Sequence, residues 1–277
     1  LISLPPIELV FYRTALACLA LGVLLAFWKT SVKVGWKDGL GIMATGALIA
    51  LHWILFFGSA RISTASVCLA GMATCSLWTS LLEPMMTSKK IKFYEVGLGV
   101  FVILGIYVIY RVEVDYVEGL LMALASAFVA AMFTVINSKY SKRVDPFVIT
   151  FYEMGGAAIA CALFFPVYLL LPEVESLQLN PTAMDWFYIA ILSIVCTVFA
   201  YSASVRLMKR ISAFAINLVI NMEPVYGIVL AFLVFGEKER MAGGFYLGTA
   251  IILVAVLSYP YLNKYYNQKD LRVDNLR

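Results

Sequence analysis

Long apolar runs, separated by short clusters of charge, occupy almost the whole chain. Nine of them are about 20 residues long: 7–28, 39–60, 64–86, 93–110, 117–139, 146–171, 185–207, 212–234 and 241–261. A helix of about 20 residues crosses the roughly 30 Å of bilayer hydrocarbon. The runs are continuous rather than alternating, which excludes barrel strands. The pattern predicts an all-α membrane protein, a polytopic bundle of nine transmembrane helices. Short connections suit antiparallel neighbours. The longest, 171–185, is acidic and carries Pro172 and Pro181; the polar stretch from Asn263 to Arg277 is expected to fray.

Charge orients the bundle. On alternate connections lie Lys29, Lys33 and Lys37; Lys89, Lys90 and Lys92; Lys139, Lys142 and Arg143; Arg206, Lys209 and Arg210; and Lys264, Lys269, Arg272 and Arg277. These sixteen face four on the other side, Arg61, Arg111, Lys238 and Arg240, and Arg13 alone of the 21 falls inside a span. Basic loops stay in the cytoplasm, so the C-terminus is expected inside. Composition agrees with a membrane protein: 62% of residues are hydrophobic and 14% charged, against about 25% charged in soluble domains. No basic patch with interleaved aromatics is present, so no nucleic-acid partner is expected. Cys18, Cys68, Cys75, Cys161 and Cys196 lie in apolar runs without CxxC spacing, and the chain has one histidine, so no metal site or other cofactor is expected.

The chain repeats. Pro6 and Phe11-Tyr12 recur as Pro146 and Phe151-Tyr152, 140 residues on; Ala60-Arg61-Ile62-Ser63 answers Lys209-Arg210-Ile211-Ser212, and Leu98-Gly99 answers Leu247-Gly248, both at 149. The nine extra residues fall in the long acidic connection. In this frame Glu223 answers Thr74, so Glu83-Pro84 and Glu223-Pro224 are not counterparts. The run 117–139 has no partner in the first half, so a further span is expected before Leu1, giving five helices plus five. An odd number inverts the second half, and inverted repeats place a binding site near the midplane.

Several stretches carry a family resemblance: FYR at 11–13, LHWILFFGSARISTASVCLAG at 51–71, LWTSLLEP at 77–84, NMEPVYGIVLAFLVFGE at 221–237, and the glycine-bearing helix from Gly243. In these the chain resembles the drug/metabolite transporter superfamily in its EamA-type ten-helix form. The resemblance implies a first repeat at 1–112 lacking its first helix, a second at 113–262, and a cytoplasmic tail at 263–277. It also implies a multi-pass carrier of the inner, plasma membrane that moves small metabolites, often outward, by alternating access. Substrate and lipid bilayer are its expected partners, and a homodimer is compatible with the fold.

Candidate binding residues follow from depth. Glu223 sits about 16 Å into its span, where a carboxylate costs roughly 3 kcal/mol or more. It is the first candidate for a cationic group or a proton; a structural, hydrogen-bonded role is the alternative. Asn217 and Asn221 share one face of that helix, lining a cavity or joining it to a neighbour. His52 lies about 20 Å deep, and Tyr201 is its counterpart in the 149 frame. Trp53, Trp78 and Tyr226 offer faces to a planar ligand or pack as ordinary aromatics. Thr74 is included as the counterpart of Glu223. Arg13, about 9 Å below the outer boundary, is expected to snorkel, with Glu8 as its local partner. Its repeat counterpart Glu153 is expected in the opposite leaflet. Glu83 near the cytoplasmic interface is a gate or structural candidate, and Gly244 and Gly248 form a GxxxG packing motif. HExxH, GxSxG and P-loop patterns are absent, so an enzyme is not expected. The reading is a secondary transporter, the alternative a non-transporting assembly partner or sensor on the same fold.

Overall fold

The computed structural model describes residues 2–87, 93–112, 114–170, 174–220 and 223–274. The helices are α1 Pro6–Phe27, α2 Trp36–Ile62, α3 Ala65–Met72, α4 Cys75–Thr87, α5 Phe93–Val112, α6 Val117–Tyr140, α7 Pro146–Tyr168, α8 Ala183–Ala190, α9 Ser202–Leu207, α10 Ala213–Ile220, α11 Glu223–Phe235 and α12 Gly243–Asp274. Ile191–Tyr201, between α8 and α9, is wound as a π-helix. Seven helical stretches of the described residues are long and apolar enough to cross a membrane, and the apolar part of α5, Gly97–Val112, is shorter. The eighth expected span, 212–234, carries α10 and α11, on either side of Asn221 and Met222, which lie outside the described residues. Every expected run thus carries helix.

Helix starts follow local chemistry. Pro6 and Pro146 occupy the first turns of α1 and α7, where a missing amide hydrogen leaves no bond unmade. Asp145 caps α7 by accepting from the Phe147 amide at 2.9 Å, and Thr64 caps α3 by accepting from Val67 at 3.2 Å. Thr182 and Asp185 form a capping box that starts α8. After α1 the chain turns at Lys29, the only described non-glycine residue with positive φ (53°). α12 runs past the expected span end at Tyr261 to Asp274, in place of a frayed tail. No glycine or proline lies between 261 and 274 to stop it, and α5 holds the extension. The Tyr94 hydroxyl donates to Asn263 Oδ1 at 2.8 Å, and its ring stacks on Tyr266 at 4.9 Å.

The chain forms two compact units. One comprises Leu1–Gly58 and Met132–Ile216, the other Ser59–Ala131 and Asn217–Arg277. Each draws on both halves of the sequence. In the first unit α1 packs along α7 and against the π-helix. Leu4, Leu9 and Ile189 form one buried cluster, and Ile42, Ile149 and Val205 another. α2 and α7 touch backbone to backbone: a Cβ at Gly46 would strike the Glu153 carbonyl, and one at Gly156 the Met43 carbonyl. In the second unit α5 lies along α12, and α11 against α3. Gly105 and Gly248 face each other across the α5–α12 contact, with Gly244 against Val112, so the GxxxG motif serves helix packing.

Candidate functional site

Each unit carries its own buried polar centre. In the first, α7 presents Glu153, whose side chain is 0% exposed. α6 supplies Asn137, and the end of the π-helix supplies Tyr201. Asn137 Nδ2 donates to the Tyr201 hydroxyl at 2.9 Å, and that hydroxyl donates to Glu153 Oε2 at 3.1 Å. Glu153 Oε1 and Asn137 Oδ1 are sealed in without a hydrogen-bond partner. Both leftover atoms are acceptors, so the cluster lacks a donor. A carboxylate buried among apolar helices with one oxygen unpaired is costly, by several kcal/mol in low dielectric.

Aromatic rings continue outward from this cluster. Tyr201 stands 6.4 Å from Phe133, and Phe133 lies edge-on to His52 at 5.5 Å. On its other side Tyr201 meets the Trp53 ring edge at 6.4 Å. The Arg13 guanidinium carbon lies over Trp53, 3.6 Å from the ring centre, and its Nε donates to Thr197 Oγ1 at 3.1 Å. The π-helix contributes to both ends of this array. Thr197 Oγ1 donates to the Leu192 carbonyl five residues back at 2.9 Å, which turns its lone pairs to Arg13, and Ser193 Oγ donates to the Arg13 carbonyl at 3.0 Å. π-Helical turns are rare and concentrate at functional positions.

Two expectations are corrected here. Arg13 does not snorkel; it turns inward and is 7% exposed. The arene face and the Thr197 hydroxyl give it better inward contacts than a short climb to the interface. Nor does Glu8 pair with it. Glu8 Oε1 accepts from the Gln178 amide at 3.2 Å, and the Tyr12 hydroxyl donates to the Leu179 carbonyl at 2.8 Å, so α1 straps the acidic connection with these groups.

The second unit holds the other candidates. Asn217, fully buried, donates from Nδ2 to Thr79 Oγ1 at 2.7 Å, which joins α10 to α4. Trp78 packs edge-on to Phe128 at 5.4 Å, and its Nε1 is sealed without a partner. Thr74 donates to the Gly71 carbonyl at 2.8 Å and is satisfied within its own turn. Glu223 is half-buried in α11 and receives no hydrogen bond from any described residue. Tyr226 points outward, 56% exposed. Asn221 lies outside the described residues.

The structure thus gathers His52, Trp53 and Tyr201 in one unit and leaves Thr74, Trp78, Asn217, Glu223 and Tyr226 in the other. Sequence reasoning missed Asn137, Glu153, Phe133 and Thr197. A usable signal existed for Glu153, an acid inside an apolar run seven residues after a helix-starting proline. Nothing in the sequence marked the other three.

The sequence profile of the EamA-like transporter family matches residues 117–259, just over half of the 277-residue chain. The chain belongs to the EamA-like transporter family. The uncharacterized transporter YdfC of Bacillus subtilis (strain 168) is 23% identical over 263 residues, covering 93% of this chain and 82% of YdfC. A solved crystal structure of a protein superimposes with a TM-score of 0.62 at 18% identity, over 92% of this chain and 87% of that one, which is a likeness of fold. This EamA-like protein is therefore an integral, multi-pass membrane transporter.

Proposed function

We propose that this EamA-like transporter is a secondary carrier that exports small organic metabolites by alternating access, without ATP. The carrying observation is the buried chain of Asn137, Tyr201 and Glu153, with two acceptors left open in the interior of apolar helices. Such a group costs stability and persists where a solute or ion is to meet it. His52, Trp53, Tyr201, Glu223, Asn217, Asn221, Thr74, Trp78 and Tyr226 are the candidate substrate-binding residues. Alternating access uses two inverted repeats, 1–112 and 113–262, each covering one half of the chain. In spent medium, cells making the full natural protein are expected to accumulate at least one small metabolite above empty-vector cells, read by mass spectrometry. Glu223→Gln lowers that excess at least about tenfold, as for a group that meets charge only in transit. Undiminished export by that variant would remove Glu223 from the site.

The carrier sits in the inner membrane with its C-terminus in the cytoplasm, because sixteen of 21 basic residues fall on that side. A C-terminal fluorescent protein is expected to be bright and a C-terminal alkaline phosphatase inactive. The opposite pair of results inverts the topology.

A further inference from the structure

Arg13 has the geometry of a site awaiting an anion. Its side chain is more than nine-tenths buried within the first unit. One face of the guanidinium is covered by Trp53 at 3.6 Å, and the Phe57 ring lies 6.0 Å away. Its Nε–H is spent on Thr197, whose own hydroxyl proton is committed to Leu192. The fork is thus held in one plane and one direction before any ligand arrives. No carboxylate among the described residues pairs with it. Among the described acids of this unit, Glu175 is exposed and the others are engaged elsewhere: Glu8 with the Gln178 amide, Asp38 with Arg143 at 2.9 Å, Asp145 with the α7 cap, Glu153 with Tyr201, and Asp185 with Ser3 and Thr182. The two terminal amino groups make no hydrogen bond to any described residue, yet they are not among the sealed polar atoms.

We infer that Arg13 is the anion-binding residue of this carrier and that its substrates bear a carboxylate. The inference rests on the carrier reading above and names its substrate class. Two parallel N–H groups in a plane match the two oxygens of a carboxylate, and a bidentate charge-assisted pair is both strong and directional. A lone buried cation is expensive, and a carboxylate from the solute neutralises it at the moment of binding. Trp53 and Phe57 flank the bound carboxylate with arene surface, which suits an apolar or planar body on the solute. Thr197 is a positioning residue: it orients the fork and leaves its far edge free.

Three probes with one ring and different heads test this on the purified full-length protein in a sugar-headed detergent without phospholipid. Benzoate, benzylamine and benzyl alcohol are titrated while tryptophan fluorescence and melting midpoint are read. Benzoate is expected to shift both and to bind at least about tenfold tighter than the other two. Arg13→Gln removes that preference, while Arg13→Lys, which keeps the charge if the glutamine variant does not fold, retains part of it. Equal binding of all three probes, or preference for benzylamine, overturns the inference, and the wild-type comparison decides this without any variant. The two readings fail separately. Metabolite export without benzoate preference leaves the carrier and removes the anion site; benzoate preference without export of any metabolite does the reverse.

Discussion

Glu153→Gln is expected to make the protein harder to unfold and to lower metabolite export at least about tenfold. The two effects come from one atom. Glu153 Oε1 is buried without a partner, and its neighbour Oε2 has only the Tyr201 hydroxyl. Exchanging the carboxyl group for an amide of the same shape leaves a group that cannot ionise in low dielectric. It also brings two N–H donors into a cluster whose unpartnered atoms, Glu153 Oε1 and Asn137 Oδ1, are both acceptors. Relief of a buried, half-satisfied charge is worth about 1 kcal/mol or more. A melting curve of the purified variant reads this as a raised midpoint. If Glu153 were only a strut for Tyr201, the exchange would lower the midpoint or leave it unchanged, and export would follow stability. Higher stability with lost export is the mark of a group kept for function at a cost to the fold. A variant that exports at the wild-type rate removes Glu153 from the transport path, whatever its midpoint.

The spans were legible because they depend on length and apolarity alone, and a helix in lipid has few alternatives. The helix starts at Pro6, Pro146 and Asp145 rest on local chemistry. The polar centre was only half legible. Tyr201 came forward through its repeat relation to His52, and the structure sets both rings against Phe133. The repeat makes Glu153 and Arg13 counterparts and places them in opposite leaflets. Their actual partners, Tyr201 on one and Trp53 and Thr197 on the other, come from different helices at sequence separations of 40 to 184 that no local pattern encodes. The π-helix was invisible. The sequence ILSIVCTVFAY is equally compatible with i→i+4 winding, and only contacts to Arg13 show what the extra residue per turn accomplishes. Likewise, no hydropathy pattern says that Asn217 meets Thr79 rather than a cavity.

The position of Glu153 also rests on a contact that admits no side chain, and two adjacent glycines expose it. Gly155 and Gly156 stand side by side on α7. A Cβ on Gly155 would meet nothing closer than Cys18 Sγ at 3.5 Å, an ordinary contact. A Cβ on Gly156 would run into the Met43 carbonyl group and Cα, all on α2, and the reciprocal Cβ on Gly46 would strike the backbone of Glu153 and Ala157. Backbone cannot rotate aside as a side-chain tip can, so the two helices must separate. Gly155→Ala is therefore expected to change stability by no more than about 0.5 kcal/mol, whereas Gly156→Ala costs about 1–3 kcal/mol as overpacking does elsewhere. Melting midpoints of the two purified variants make the comparison, with the same atom added at neighbouring positions. Equal effects would mean that α2 and α7 do not cross backbone to backbone. Separation at Gly156 also moves the turn that carries Glu153, three residues earlier, against Asn137 and Tyr201 on other helices. Export is thus expected to fall in Gly156→Ala even where the protein still folds, and to persist in Gly155→Ala.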